Sequence, residues 1–282
     1  MTVVTATLKQ ITGLAKPRRK FVAALLATIL ALRGRVNYRN LARYGEYGEH
    51  SYARQFAQPF PWLRYHAQVI QDAVPATHEL IAAQDASFIP KSGKHTPGLG
   101  KFYNGCAGRA ERGLEISALG VVDLTQKGAY VAAVAPTQTP PPKLKKEQAE
   151  QTRLDQAIAQ AQTARPHLPA SIRYLAADGW YAKQKYADAI VALGLELVTK
   201  LRHDANMRFR FTGKRSGQRG RPKVYDGKVD WQDLSRFDRV DTAALALAPG
   251  VEVFTAELYH CSLKRWLRVV VVVWHTADGN RQ

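Results

Sequence analysis

The sequence predicts a mixed α/β fold, and three observations carry that expectation. Between residues 79 and 203, short apolar runs and amphipathic stretches follow one another in the order β-β-β-α-β-α-β, which describes a mixed sheet flanked by helices. A helical stretch at 1–78 and a basic, then β-rich stretch at 204–282 frame this block. Apolar residues make up 46% of the 282-residue chain, enough for a real core and too many for a disordered polymer.

The first stretch opens on FVAALLATILAL at 21–32, preceded by KPRRK. Twelve residues, eleven of them apolar, are too few to span a bilayer. Arg33 and Arg35 stand where a signal peptide would place small cleavage-site residues, so the run reads as a buried helix. NYRNLARYGEYGEHSYARQFAQ and WLRYHAQVIQDAV add further helical segments. Basic residues interleave here with Tyr38, Tyr44, Tyr47 and Tyr52. Such a surface can contact DNA phosphates, or the tyrosines can pack at the core edge of a helical bundle; composition does not choose.

In the second stretch, HELIAAQDASFIPK holds a strand around Asp85, bounded by the turn-prone KSGKHTPGLGK. GLEISALGVVDLT and GAYVAAVAPT are two further β-like runs separated by TQKG, a hairpin or meander. PTQTPPPK breaks the pattern, because three consecutive prolines fit neither a helix nor a central strand. A polar helix is expected over 144–163, a short strand in SIRYLAADGWY, an amphipathic helix in KQKYADAIVALG and a strand in LELVTKLR. In the third stretch, residues 200–228 carry ten Lys/Arg against two Asp/Glu, and VEVFTAELYH and RWLRVVVVVW read as paired strands. VVVVVW has the composition of a fully buried strand.

Charge points to the partner. The 41 Lys/Arg outnumber 23 Asp/Glu, for a net charge of +18 and a pI near 10.0. A globular chain this basic suits a polyanion, since neutralising phosphates releases condensed counterions. Two cysteines, Cys106 and Cys261, with no CxxC, argue against a disulfide scaffold or structural zinc and suit a reducing cytosol. His203, His260 and His275 lack ligand spacing.

Two acids sit in matching contexts, Asp85 in IAAQDASFI and Asp178 in YLAADGWY. A carboxylate inside a core strand costs several kcal/mol unless it is paired, hydrogen-bonded or bound to a cation. One such Asp reads as a strand-end cap; two, in a chain this basic, point toward a site for Mg²⁺, which takes few carboxylates plus waters and substrate phosphate.

At these residues the sequence resembles a known family. DASFIPKSGKHTPGLGKFYNGCAGRAERGLEISALGVVD is similar to the first catalytic block of insertion-sequence DNA transposases of the DDE class, and YLAADGWY to the second. The resemblance covers about 80 to 203 well and the rest loosely. It implies a ribonuclease H-like core, with Asp85 and Asp178 as catalytic, metal-binding acids for Mg²⁺ or Mn²⁺. It also implies cleavage of element ends and attack of the freed 3′-hydroxyl on target DNA. The expected domains are a helical, DNA-binding 1–78, a catalytic core at 79–203, and a basic loop with a β-rich insertion at 204–282. Expected partners are double-stranded DNA and a second copy in a homodimer, with no membrane, in a bacterial, nucleoid-associated cytoplasmic setting.

The third acid of the class, a Glu on a helix after the insertion, is not identified. Glu252 and Glu257 sit on a β-like run and Asp278 in a terminal ADGN turn, so none has the helical context. The chain is therefore expected to be C-terminally incomplete, or half of a split or frameshifted transposase, binding DNA but cleaving little alone. Alternatives are a non-catalytic regulator of a full-length relative and a self-sufficient metal-dependent nuclease of the same fold. Lys91, Lys94 and Lys101, around Gly93, Gly98 and Gly100, are expected to contact DNA, as are Arg219, Arg221 and Lys223. The glycine loop is no Walker A motif. Trp180 and Tyr181 either stack on an extruded base or simply pack.

Overall fold

The structure, a computed structural model, describes residues 2–93, 96–138, 151–214, 221–243, 247–248 and 250–274. Two compact units are distinguished: Met1–Ala177 with Ala189–Val198, and Asp178–Asp188 with Thr199–Gln282.

The first unit begins with helices α1 (Thr2–Gln10), α2 (Lys16–Ala31), α3 (Tyr38–Tyr44), α4 (Glu49–Phe56) and α5 (Trp62–Ala73). Proline in the first turn starts α2 where a missing N–H is harmless, and the helix buries Phe21, Val22, Ala23, Leu25 and Thr28. The 21–32 run is thus a packed helix. Among the described residues no helix is long and apolar enough to cross a membrane. Asn37 caps α3 by accepting the backbone N–H of Asn40 at 2.8 Å. The Thr7 hydroxyl donates to Asp72 at 3.1 Å and ties α1 to α5.

The four tyrosines divide. Tyr47 and Tyr52 pack inward on Phe21, with ring centroids 5.2 and 5.7 Å away, whereas Tyr38 and Tyr44 are exposed. Tyr52 is wholly buried, and its hydroxyl has no hydrogen-bond partner among the described residues. It occupies the space a side chain would need at Gly45, which only glycine leaves open. An unpaired buried hydroxyl costs about 1–3 kcal/mol. Tyr52→Phe should therefore raise stability by about 1 kcal/mol in urea unfolding. A clear loss of stability would mean that the hydroxyl is satisfied.

A six-stranded mixed sheet follows, built from β1 (Leu80–Pro90), β2 (Gly100–Asn104), β3 (Arg109–Asp123), β4 (Gly128–Pro136), β5 (Tyr174–Ala177) and β6 (Glu196–Thr199). Its order is β2-β3-β1-β5-β6, with β4 also on β3. β1 and β4 are antiparallel to β3, and β5 runs parallel to β1. The sheet is ribonuclease H-like. One strand was not expected: β2 folds back on residues 109–113 through the tight NGCAG turn.

Helix α6 (Arg153–Ala164) starts at a capping box in which Thr152 and Asp155 satisfy each other's backbone N–H. The earlier part of the expected helix, 144–150, lies outside the described residues. α7 (Gln184–Ala192) falls within the expected amphipathic stretch. The β3–β4 turn is locked by Asp123, buried completely, which accepts from His78 at 2.7 Å and from the N–H groups of Thr125 and Gln126. Desolvation works against the charged carboxylate, but these bonds outweigh it and hold its pKa below the usual value.

The second unit carries a five-stranded sheet of β7 (Met207–Arg210), β8 (Tyr225–Lys228), β9 (Asp238–Arg239), β10 (Val251–His260) and β11 (Arg265–Trp274). Its order is β11-β10-β7-β8, with β9 on β10. Met207, Phe209, Ala256, Leu258, Val269 and Val273 form its core with Val229, Leu234 and Phe237. His260 Nδ1 accepts the N–H of Leu263 and closes the β10–β11 turn; desolvation lowers its pKa, consistent with a neutral ring. The expectation for VVVVVW is corrected here. β11 is an edge strand packed on one side only, so Val270 and Trp274 stand 58% and 53% exposed.

Candidate active site

The two acids are placed by neighbouring strands of the first sheet. β1 and β5 pair in parallel with the register Ala82↔Leu175, Ala83↔Ala176 and Gln84↔Ala177. Asp85 is the next residue after Gln84, and Asp178 the next after Ala177. Each acid thus follows the last registered β1–β5 pair: Asp178 lies just past the end of β5, whereas Asp85 lies within β1, opposite Ala118 of β3.

Burial along β1 explains the position of Asp85. Leu80, Ala82 and Gln84 are buried, and from Asp85 onward the strand leaves the core. Asp85 is exposed, and one of its oxygens accepts the N–H of Ala86 at 2.8 Å. Asp178 is exposed too and caps a short 3-10 turn, Gly179–Tyr181, by accepting the N–H of Trp180 at 2.9 Å. The desolvation cost inferred from sequence is corrected accordingly: both carboxylates are exposed to solvent. The backbone around Asp178 is held firmly. Its carbonyl accepts from the Thr199 hydroxyl at 2.8 Å, and a Cβ on Gly179 would stand 2.9 Å from the carbonyl oxygen of Lys200.

Beneath Asp85 lies a buried amide network that sequence reasoning missed. Gln84 donates to Gln160 Oε1 at 2.9 Å and to the carbonyl of Ala157 at 3.0 Å. The Ser117 hydroxyl donates to Gln160 Oε1 at 2.6 Å, and Gln160 returns a bond to the Ser117 carbonyl at 2.9 Å. β1, β3 and α6 are thereby joined one residue from Asp85. The only signal in the sequence was a glutamine inside an apolar strand.

The expected DNA-contacting residues fare differently. Lys91 and Lys101 are exposed; Lys101 pairs across the β2–β3 hairpin with Arg112, two like charges side by side. Arg221 is exposed, whereas the Lys223 ammonium is engaged by Asp226 at 3.0 Å and lies 4.6 Å from the Phe211 ring centre. Lys94 and Arg219 fall outside the described residues. Trp180 is 42% exposed, while Tyr181 is buried against Tyr186, whose hydroxyl burial pushes well above the ordinary phenol pKa. Among the described residues no group of three or more His, Cys, Asp or Glu is arranged to hold a metal ion.

A family model described as DDE superfamily endonuclease matches residues 8–253, most of the chain. The chain belongs to the DDE superfamily endonucleases. The match takes in β1, β5 and both acids. No curated protein matches the sequence. Among solved structures, the chain is similar to a piggyBac transposase in a synaptic complex with hairpin DNA, determined by cryo-EM, at 14% identity and a TM-score of 0.38. That alignment covers 96% of this chain and 49% of the other, so the chain spans about half the length of that transposase.

Proposed function

We propose that this DDE superfamily chain acts on DNA as a transposase-type nuclease, with Asp85 and Asp178 as the two carboxylates that hold a divalent cation. The observation that carries the reading is the β1–β5 register, which ends one residue before each acid. Covalent geometry then keeps the two Cα atoms within roughly 12 Å, from an interstrand spacing of about 4.8 Å and two Cα–Cα steps of about 3.8 Å.

The donor set fits a hard cation. Each carboxylate commits one oxygen to a local backbone N–H, which orients the group and leaves the other oxygen for a ligand. Mg²⁺ or Mn²⁺ bound there would activate a water or a 3′-hydroxyl and stabilise the leaving oxygen at phosphorus. The chain's own share is orientation and charge. Asp85 is fixed by the strand above the Gln84–Gln160 network, and Asp178 by its cap and the Thr199 bond. Lys91, Lys101 and Arg221 are exposed cations suited to phosphate backbone, and the helical 1–78 region is assigned to DNA ends. Hydrolysis at an element end followed by strand transfer is the reaction this reading assigns, with a second copy on DNA as partner.

The chain should bind duplex DNA with an affinity that falls steeply with salt, with a log–log slope of roughly −5 or steeper. Fluorescence anisotropy from low to moderate salt measures it. A flat salt dependence, or no duplex binding at low salt, would remove DNA as the substrate.

A further inference from the structure

We infer that the outer face of the second sheet is a binding platform for single-stranded DNA, a role separate from the acids at β1 and β5. The inference rests on DNA being the ligand of this chain.

Side chains alternate across a strand, so cross-strand partners share a face. One face of this sheet is the core described above. On the other, Trp266 pairs with Tyr259, Tyr259 with Arg208, and Arg208 with Lys228. The adjoining row carries Arg268 opposite Glu257 on β10, and Arg210 opposite Tyr225. The three rings form one cluster: Tyr259 lies 5.4 Å from Trp266 and 4.9 Å from Tyr225, centroid to centroid. Guanidinium groups lie over it, that of Arg210 at 4.1 Å from the Trp266 centroid and that of Arg208 at 5.3 Å from Tyr225.

Two features distinguish this surface from an ordinary solvated sheet face. Its rings are half-buried instead of fully packed, although the sheet already has a complete core on the other side. Its charge is also one-sided: among the described residues of this face, Arg208, Arg210, Lys228 and Arg268 stand with one acid, Glu257, which is bonded to Arg210. A flat array of rings edged with cations is what a single strand requires: every base offers a π-face, and the phosphates between bases need positive charge. Duplex DNA hides its base faces in the stack and would leave the aromatic cluster without a role. Guanidinium planes over the rings extend the stacking surface and do not block it.

The test uses the full chain, a fluorescent 20-nucleotide oligothymidine and a duplex of the same length. The parent should bind the oligothymidine. Trp266→Ala should weaken that binding by roughly tenfold, the scale of losing one stacked base, and Trp266→Phe should recover most of it. Arg208→Gln combined with Arg268→Gln, both exposed positions, should weaken it similarly and flatten its salt dependence; circular dichroism checks that each variant is folded. Duplex binding should change much less in every variant. Parent-like oligothymidine binding by Trp266→Ala and by the double arginine variant would overturn the platform. So would duplex binding without single-strand binding by the parent, and that outcome leaves the nuclease reading intact. A parent that binds neither DNA removes both.

Discussion

Asp85→Asn should lower metal-dependent cleavage of DNA by roughly a thousandfold or more, the scale on which loss of a group acting at the reacting atoms is felt. Asp178→Asn should do the same, and the double variant should be little worse than either, because ligands of one ion act as a unit. The amide keeps the shape of the side chain and can still accept the N–H of Ala86 or Trp180, so local structure should survive. Two measurements decide the matter. Nicking of supercoiled plasmid in Mn²⁺ reads the chemistry, and calorimetric titration with Mn²⁺ alone reads the ion. Each single variant should lose the Mn²⁺ binding of the parent while retaining the salt-dependent affinity for duplex. Parent-like Mn²⁺ binding in both variants would detach these acids from the metal.

The second large effect is expected from Gln160→Leu. Leucine is close in volume, so the change chiefly deletes hydrogen bonds. Gln84 Nε2 and the Ser117 hydroxyl lose their shared acceptor, and the Ser117 carbonyl loses a donor. Gln84 keeps its bond to the Ala157 carbonyl, so the loss falls mainly on the Ser117 hydroxyl and carbonyl; unpaired buried polar groups cost about 1–3 kcal/mol each, for an expected loss of about 3 kcal/mol. Urea unfolding followed by far-ultraviolet circular dichroism measures it. Replacing Gln84 and Gln160 together by leucine should cost less than the sum of the single changes, since paired removal leaves fewer orphaned groups. Strict additivity would show that the two amides do not act as a pair.

Much of this fold was legible because strands of the first sheet announce themselves by their boundaries. The TQKG turn separated β3 from β4, and PTQTPPPK marked the end of the hairpin. β10 and β11 were read at their true limits because each is a long β-branched and aromatic run closed by a polar turn. What was not legible depends on the third dimension. β2 is five residues of no clear alternation, and only its partner at 109–113 makes it a strand. VVVVVW looked buried on both sides because composition cannot tell an edge from a centre.

The candidate site shows the same division. Asp85 and Asp178 were found from their apolar surroundings, yet the inference that they are buried was wrong, since a strand can leave the core within one residue. Lys223 is expected from sequence to contact DNA, whereas its ammonium is engaged by Asp226. Gln84 and Gln160 gave no warning, because a buried amide is recognisable only with its partners in place.

The parallel pairing of β1 with β5 also bears on how the chain folds as it is made. Ala82 and Leu175 are neighbours in the sheet but lie 93 positions apart in the chain. The antiparallel β1–β3–β4 meander closes through much shorter loops and can form while the later residues are still in the ribosome. The strand that carries Asp85 therefore exists before the strand that Asp178 follows. A nascent chain stalled before residue 174 would hold a nearly complete meander with one bare edge and half a site. Until β5 docks, that edge offers unpaired N–H and C=O groups to any passing strand. The proposed metal site is thus among the last features of the first sheet to be assembled.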